Sequence, residues 1–196
     1  GGISVNNSSP LLIDLIISQN YANQYGGGLY FTNSSSIFSN SIIVDNYGGH
    51  GGGIMCYNAS PIFINLVIES NSSGTNWGDG GGLALYNEST VNISDSYITN
   101  NSGGRGAGIM LFWNNNSITI QNSIIAGNVS DTYGGGIFSH GSTSNAVILN
   151  STISNNSSAN NGGGIYCGDS FSPSLVNSIL WNNSPQEIYI ESSSVT

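Results

Sequence analysis

The side chains of this chain that could do chemistry are few and scattered. His50, in "GHGGGIMCYN" at residues 49–58, has an imidazole suited to proton transfer near neutral pH. Asp45 and Glu69 follow Asn40 and Asn65 by five and four residues, which places the two carboxylates near each other if those asparagines occupy equivalent positions. Such a pair could share a proton or bind calcium. A calcium site takes roughly six to eight oxygens, however, and no third acid accompanies them. They read as isolated surface acids. Arg105 is the only Lys or Arg in 196 residues, so abstraction of a proton by a basic side chain has one candidate, in a loop. Cys56 and Cys167 have no metal-ligand spacing. The sequence calls for no metal and no cofactor.

Composition narrows the partners. One Lys or Arg against ten Asp or Glu leaves a net charge of −9, which repels nucleic acid and anionic membrane surfaces. No apolar run approaches the roughly 20 residues of a membrane helix. Solubility rests on the amides and hydroxyls of Asn, Ser and Thr, which suits an extracellular or cell-surface protein. Asn-x-Ser/Thr triplets, as at Asn58, Asn87 and Asn150, follow from that composition.

What positions these residues is a repeat that runs from end to end. A small pair followed by Ile or Leu recurs at Gly1-Gly2, Gly27-Gly28, Gly52-Gly53, Gly81-Gly82, Ala107-Gly108, Gly135-Gly136 and Gly163-Gly164, at spacings of 26, 25, 29, 26, 28 and 28 residues. Within each unit comes Asp14, Asn40, Asn65, Asp95, Asn122, Asn150 or Asn177. Three residues later comes Ile17, Ile43, Ile68, Ile98, Ile125, Ile153 or Leu180. Six residues after the first Asn or Asp comes Asn20, Asn46, Asn71, Asn101, Asn128, Asn156 or Asn183. Three short segments per unit alternate apolar and polar residues, the signature of strands, and none holds helical spacing. Their inward positions are Val5, Phe31, Cys56, Leu85, Leu111, Ser139 and Cys167; Leu12, Phe38, Phe63, Ile93, Ile120, Ile148 and Leu175; and the Ile17 column.

Three strands in each of seven units, with "QEIYIESSSVT" beginning an eighth, predict one all-β domain over 1–196: a parallel β-helix whose coils stack roughly 4.8 Å apart. The asparagines are expected at bends, tolerating left-handed backbone and bonding to their copies in the next coil. Cys56 and Cys167 then fall four coils apart, about 19 Å at that rise, too far for a disulfide. They are expected as buried free thiols.

The motifs "GGGLYFTN", "GGGIMCYN", "GGGLALYN" and "GGGIYCGD", with "NSIIVDN", "NSIIAGN" and "NSILWNN", resemble the right-handed parallel β-helix of the pectin-lyase-like superfamily. They are most similar to the Gly-Gly-Ile, Asn-rich repeats of secreted bacterial surface proteins of the polymorphic outer-membrane or adhesin type. The resemblance implies a fold and leaves function open. Pectin-degrading hydrolases on this fold use a Gly-His-Gly beside several aspartates, since inverting cleavage needs two carboxyls some 6.5–9.5 Å apart. The matching Asp-Asp and Asn-Thr-Asp motifs are missing here, so His50 is expected to be a loop residue. Lyases on this fold need more basic residues than Arg105.

One pattern exceeds what the fold requires. Outward positions of the Gly-Ile strands run Tyr30, Met55, Ala84, Met110, Phe138, Tyr166 and Thr32, Tyr57, Tyr86, Phe112, His140, with Trp113 at their margin. Tyr30, Tyr57, Tyr86, Phe112, Trp113, Phe138 and Tyr166 are therefore expected to form an exposed aromatic face that contacts protein or glycan. The functional expectation is a non-enzymatic structural or adhesive repeat segment of a larger cell-surface or filament-forming protein. The alternative is a polysaccharide-degrading hydrolase or lyase with catalytic coils partly outside this segment. An ice-binding solenoid would show a regular Thr column, which does not occur. Because neither end resembles a cap, the segment is expected to sit in a larger assembly, touching other chains or neighbouring coils, with the aromatic face as lateral contact.

Overall fold

A computed structural model describes residues 1–74, 78–113, 115–141, 144–169 and 171–191. It is all-β, with every strand pairing parallel to its copy in the adjacent coil. No helix among the described residues is long and apolar enough to cross a membrane. Three sheets run the length of the solenoid. The first has eight strands, from Ile3–Asn6 through Leu83–Tyr86 to Ile188–Ile190. The second has twelve, including the eight-residue Ile37–Val44 and Ile62–Glu69, and bends at the Asp14–Asn177 column. The third has six: Tyr21–Tyr25, Tyr47–His50, Ser72–Ser73, Ser102–Arg105, Val129–Tyr133 and Ser157–Ser158.

The inward columns pair as the repeat predicts. Phe38 lies opposite both Leu12 and Phe63, and Ile98 lies between Ile68 and Ile125. Phe31, Cys56, Leu85 and Leu111 stack in register and are fully buried. Cys56 and Cys167 are free and buried, and burial pushes the Cys167 thiol up to about 12 and the Cys56 thiol higher still. The sheet assignment differs from the sequence reading in one respect. The second and third segments of each unit join in one bent sheet, while the third sheet forms from residues after the buried Asn that show no apolar alternation.

The two asparagine columns have different roles. Asp14, Asn40, Asn65, Asp95, Asn122, Asn150 and Asn177 all have φ between 48° and 56°, the left-handed backbone expected of a bend. The column Asn46, Asn71, Asn101, Asn128, Asn156 is buried and carries a continuous hydrogen-bond ladder. Asn101 Nδ2 donates to Asn128 Oδ1 at 3.0 Å and to the Ile68 carbonyl at 2.9 Å. Its own Oδ1 accepts from the Asn71 backbone N–H and from Asn71 Nδ2. Every polar atom of that amide is thereby committed across two coils. The residue before each ladder Asn takes the left-handed turn: Gln19, Asp45, Ser70, Asn100, Gly127, Asn155 and Asn182. A shorter ladder follows at Ser96, Ser123 and Ser151, each hydroxyl accepting from the backbone N–H one coil before.

Coil-to-coil approach explains the Gly pairs. A Cβ on Gly27 would sit 2.3 Å from the Gly52 carbonyl oxygen, and one on Gly52 2.3 Å from that of Ser72. The sharp turn is made one residue earlier, at Gly26, Gly51, Gly80, Gly106, Gly134 and Gly162, all left-handed.

Replacing Ile98 by Asp places an unpaired charge between apolar neighbours above and below, and is expected to abolish the cooperative unfolding transition. Asn101→Ala strands donors and acceptors on both adjacent coils and is expected to cost roughly 3 kcal/mol in urea unfolding, whereas Asn122→Gly, exposed and free to keep the left-handed backbone, costs under about 1 kcal/mol.

Candidate functional site

The left-handed Gly that follows each third-sheet strand turns the chain into the first sheet, and the outer surfaces of the two sheets meet across this corner. One residue before that Gly, a column projects into it: Tyr25, His50, Asp79, Arg105, Tyr133 and Asn161, paired by register or bridge as Tyr25 with His50, Asp79 with Arg105, and Tyr133 with both Arg105 and Asn161. Across the corner stand the outward residues of the first sheet.

The column covers the aromatic face, which corrects the expectation of an exposed platform. Met55, Ala84 and Met110 are fully buried, and Tyr86, Phe138 and Tyr166 are 5%, 2% and 6% exposed. They form a second apolar cluster outside the solenoid core, flanked by half-buried Tyr30, Tyr57, Phe112, Tyr133 and Tyr189. Trp113, at φ 65°, remains half exposed and packs on Tyr86 and Phe112 at 5.2 and 5.5 Å between centroids. Tyr25 stacks on both Tyr30 and His50 at 5.7 Å. The structure thus brings Tyr86, Phe112 and Trp113 together, and separately Phe138 and Tyr166, stacked at 4.8 Å.

At the centre of the corner lies Asp79, whose side chain is 1% exposed. Arg105 meets it with two bonds, Nε to Oδ1 at 2.8 Å and Nη2 to Oδ2 at 3.2 Å. The Tyr86 hydroxyl donates to Oδ2, and His50 Nδ1 lies 3.4 Å from Oδ2 and 3.1 Å from the Tyr86 oxygen. Arg105 also lies over the rings of Phe112 and Phe138, at 4.9 and 5.8 Å. His50, Asp79, Tyr86 and Arg105 therefore form one polar unit spanning three coils, closed around the buried Asp79 and Tyr86. Burial first, and then Asp79, hold the Tyr86 phenol far above its ordinary value near 10. A phenol held neutral is a donor to the carboxylate and no nucleophile.

Asp79 is not among the candidates taken from the sequence, and Arg105 is expected there only as a loop residue. The signal is nevertheless present: aligned on the left-handed Gly, the units read Tyr-Gly, His-Gly, Asp-Gly, Arg-Gly, Tyr-Gly, Asn-Gly, with opposite charges on adjacent coils. Asp45 and Glu69 do not form a site. Val44 pairs with Glu69, so Asp45 falls opposite Ser70, and Glu69 accepts instead from Asn100 Nδ2 at 3.0 Å. No group of three or more His, Cys, Asp or Glu able to hold a metal occurs among the described residues.

Toward later coils the corner opens into a cavity of about 480 Å³ lined by Arg105, Thr132, Tyr133, Phe138, His140, Tyr166 and Glu191. His140 Nδ1 lies 3.0 Å from Asp169 Oδ2 at a half-exposed rim. Burial, then a hydrogen bond to Glu191, raises the Tyr166 phenol well above its usual range.

The neutral phenol is one of the buried groups, with Tyr166 and the two thiols, that weaken the fold at alkaline pH. Above pH 10 the unfolded chain's tyrosines ionise while folded Tyr86 stays neutral, so stability present below the unfolded value falls as pH rises. Tyr86→Phe is expected to flatten the decline of urea midpoint between about pH 10 and 11.5, at the cost of lower stability at pH 7.

No curated protein and no solved structure matches the chain. A family model described as a right-handed β-helix region matches residues 1–151 and 65–196, and the two matches together span every coil. With parallel strands stacked through about seven turns, the chain belongs to the right-handed β-helix family.

Proposed function

We propose that this β-helix is a rigid, non-enzymatic extracellular or cell-surface segment that presents its corner as a contact surface. The observation that carries this reading is the closure of Asp79. A general acid or base must reach substrate, and this carboxylate is 1% exposed with both oxygens engaged by Arg105 and Tyr86. Its interactions tie three coils of the third sheet to the first, which is a structural role. Inverting glycoside cleavage needs a second carboxyl, and the unit contains one. What remains open to a partner is Trp113, the half-buried faces of Tyr57 and Phe112, and the aromatic cavity beyond Arg105. Aromatic rings beside polar groups suit glycan or protein side chains.

The polysaccharide-degrading reading retains one specific observation: His50, one-third exposed, joins an acid, a phenol and a cation at a single place. The two readings separate experimentally. The purified chain is expected to release neither reducing ends nor unsaturated products from pectin, polygalacturonate or alginate. Asp79→Asn is expected to lose about 3 kcal/mol of stability by stripping Arg105 of its buried partner. Cleavage that disappears in His50→Ala while the fold survives would establish the enzyme. For the contact surface, Trp113→Ala is expected to weaken glycan-array or cell-surface binding at least tenfold with unchanged melting; unchanged binding removes the corner from that role.

A further inference from the structure

The cavity past Arg105 repeats the arrangement at Asp79 with one difference. At Asp79 a carboxylate accepts from the neutral Tyr86 phenol, and the Arg105 guanidinium bonds that carboxylate while lying over the rings of Phe112 and Phe138. Toward later coils the Glu191 carboxylate accepts from Tyr166, a phenol that burial and this bond keep neutral. Rings gather beside it as well. Tyr166 stacks on Phe138 at 4.8 Å and on Tyr189 at 5.3 Å, and Tyr133 approaches from the third sheet to 5.1 Å. The difference is charge. Arg105 is offset by Asp79, and His140 faces Asp169 at the rim. Among the residues lining the cavity, Glu191 is therefore the one whose charge meets no opposite charge, and Arg105 is the chain's only Lys or Arg.

We propose that this cavity, within the contact surface assigned to the corner and resting on that assignment, seats one residue of an amino sugar, its ammonium against Glu191 and one face of its ring on the aromatic wall. Attraction between cation and ring operates in this corner already, where Phe138 lies under the chain's own guanidinium. An anionic ligand, a uronate for instance, would meet Glu191 and Asp169 on a chain of net charge −9. A metal ion of the calcium type takes roughly six oxygens or more, and no group of three or more His, Cys, Asp or Glu able to hold one occurs among the described residues. The cavity of about 480 Å³ falls in the roughly 300–1,000 Å³ of small-molecule sites, which leaves room for a ring as well as its ammonium. A pyranose also suits the mixed lining better than a lysine side chain does. Its C–H face meets the rings, and its hydroxyls reach Thr132, whose own hydroxyl donates to the Gly104 carbonyl and accepts from a ligand.

The test is an NMR titration of the whole chain with glucosamine, glucose, choline and Nα-acetyl-lysine amide at about pH 6, where the amines are charged and carboxylates ionised. Glucosamine is expected to shift the resonances of the cavity and to bind about tenfold tighter than glucose, the preference that a carboxylate and aromatic faces give a partly desolvated cation. Glu191→Gln keeps an acceptor for Tyr166 while removing the charge, and is expected to abolish that preference with unchanged melting. Equal binding of glucosamine and glucose overturns the proposal, as does a preference that survives Glu191→Gln. Choline or the lysine amide bound as tightly as glucosamine overturns the assignment to a sugar. Trp113 lies outside the cavity, so Trp113→Ala is expected to leave the glucosamine preference unchanged, and failure of the wider contact surface is told apart from failure of this site. If Glu191→Gln unfolds, the ratio of glucosamine to glucose binding in the unmodified chain decides the matter.

Discussion

The structure depends on one distance, the separation of adjacent coils. Parallel pairing fixes it, and everything else is compatibility with it. At that distance a Cβ on Gly27 or Gly52 would collide with the neighbouring backbone, so this column is Gly in every coil but one, where the smallest side chain, Ala107, is accommodated. The same distance lets an amide reach its own copy: Nδ2 to Oδ1 separations along the buried Asn column stay between 2.8 and 3.1 Å over seven coils. The ladder solves the problem of burying a bend. A turn placed inside a solenoid strands carbonyl and N–H groups, and each Asn satisfies one of each from a neighbouring coil while its own amide is satisfied in turn. Insertions of up to four residues between units are absorbed in the loops because the ladder and the Gly pairs restore register in every coil.

The core was legible because its residues answer to that one constraint. Like stacks on like, so the period exposes the Ile17, Phe38 and Phe31 columns, the left-handed Asp14 column and the free thiols without knowledge of any contact. The corner was not. Its positions pack across sheets, where no symmetry forces Tyr25, His50, Asp79 and Arg105 to be alike, so a search for similarity between units passes over them. Their relation is complementarity, Asp79 to Arg105 and Tyr86 to Asp79. It emerges only when units are aligned on the left-handed Gly and neighbours are compared for opposite character. The aromatic columns misled for a related reason. Alternation shows correctly that Tyr86 and Phe138 point away from the solenoid core, but pointing away from one core is not exposure when the chain folds a second layer over them.

The corner shows how a solenoid with 6% charged residues uses its few charges. Exposed ion pairs contribute little, and a buried pair is costly to desolvate unless each partner is fully bonded. Here the chain's one Arg, a His, an Asp and a Tyr are drawn from neighbouring coils into a single bonded unit. Apolar rings surround it, including Phe112 and Phe138 beneath the guanidinium. Oppositely charged partners on adjacent coils also specify which coils may neighbour each other, something that a ladder of identical Asn residues cannot do. A repeat that is uniform in its core can slip by a whole coil with little penalty; one with a unique Asp79–Arg105 pair cannot slip without stranding both groups.

The corner is heterogeneous from coil to coil, so anything it recognises is recognised at a defined position along the rod, near Trp113 or in the cavity past Arg105.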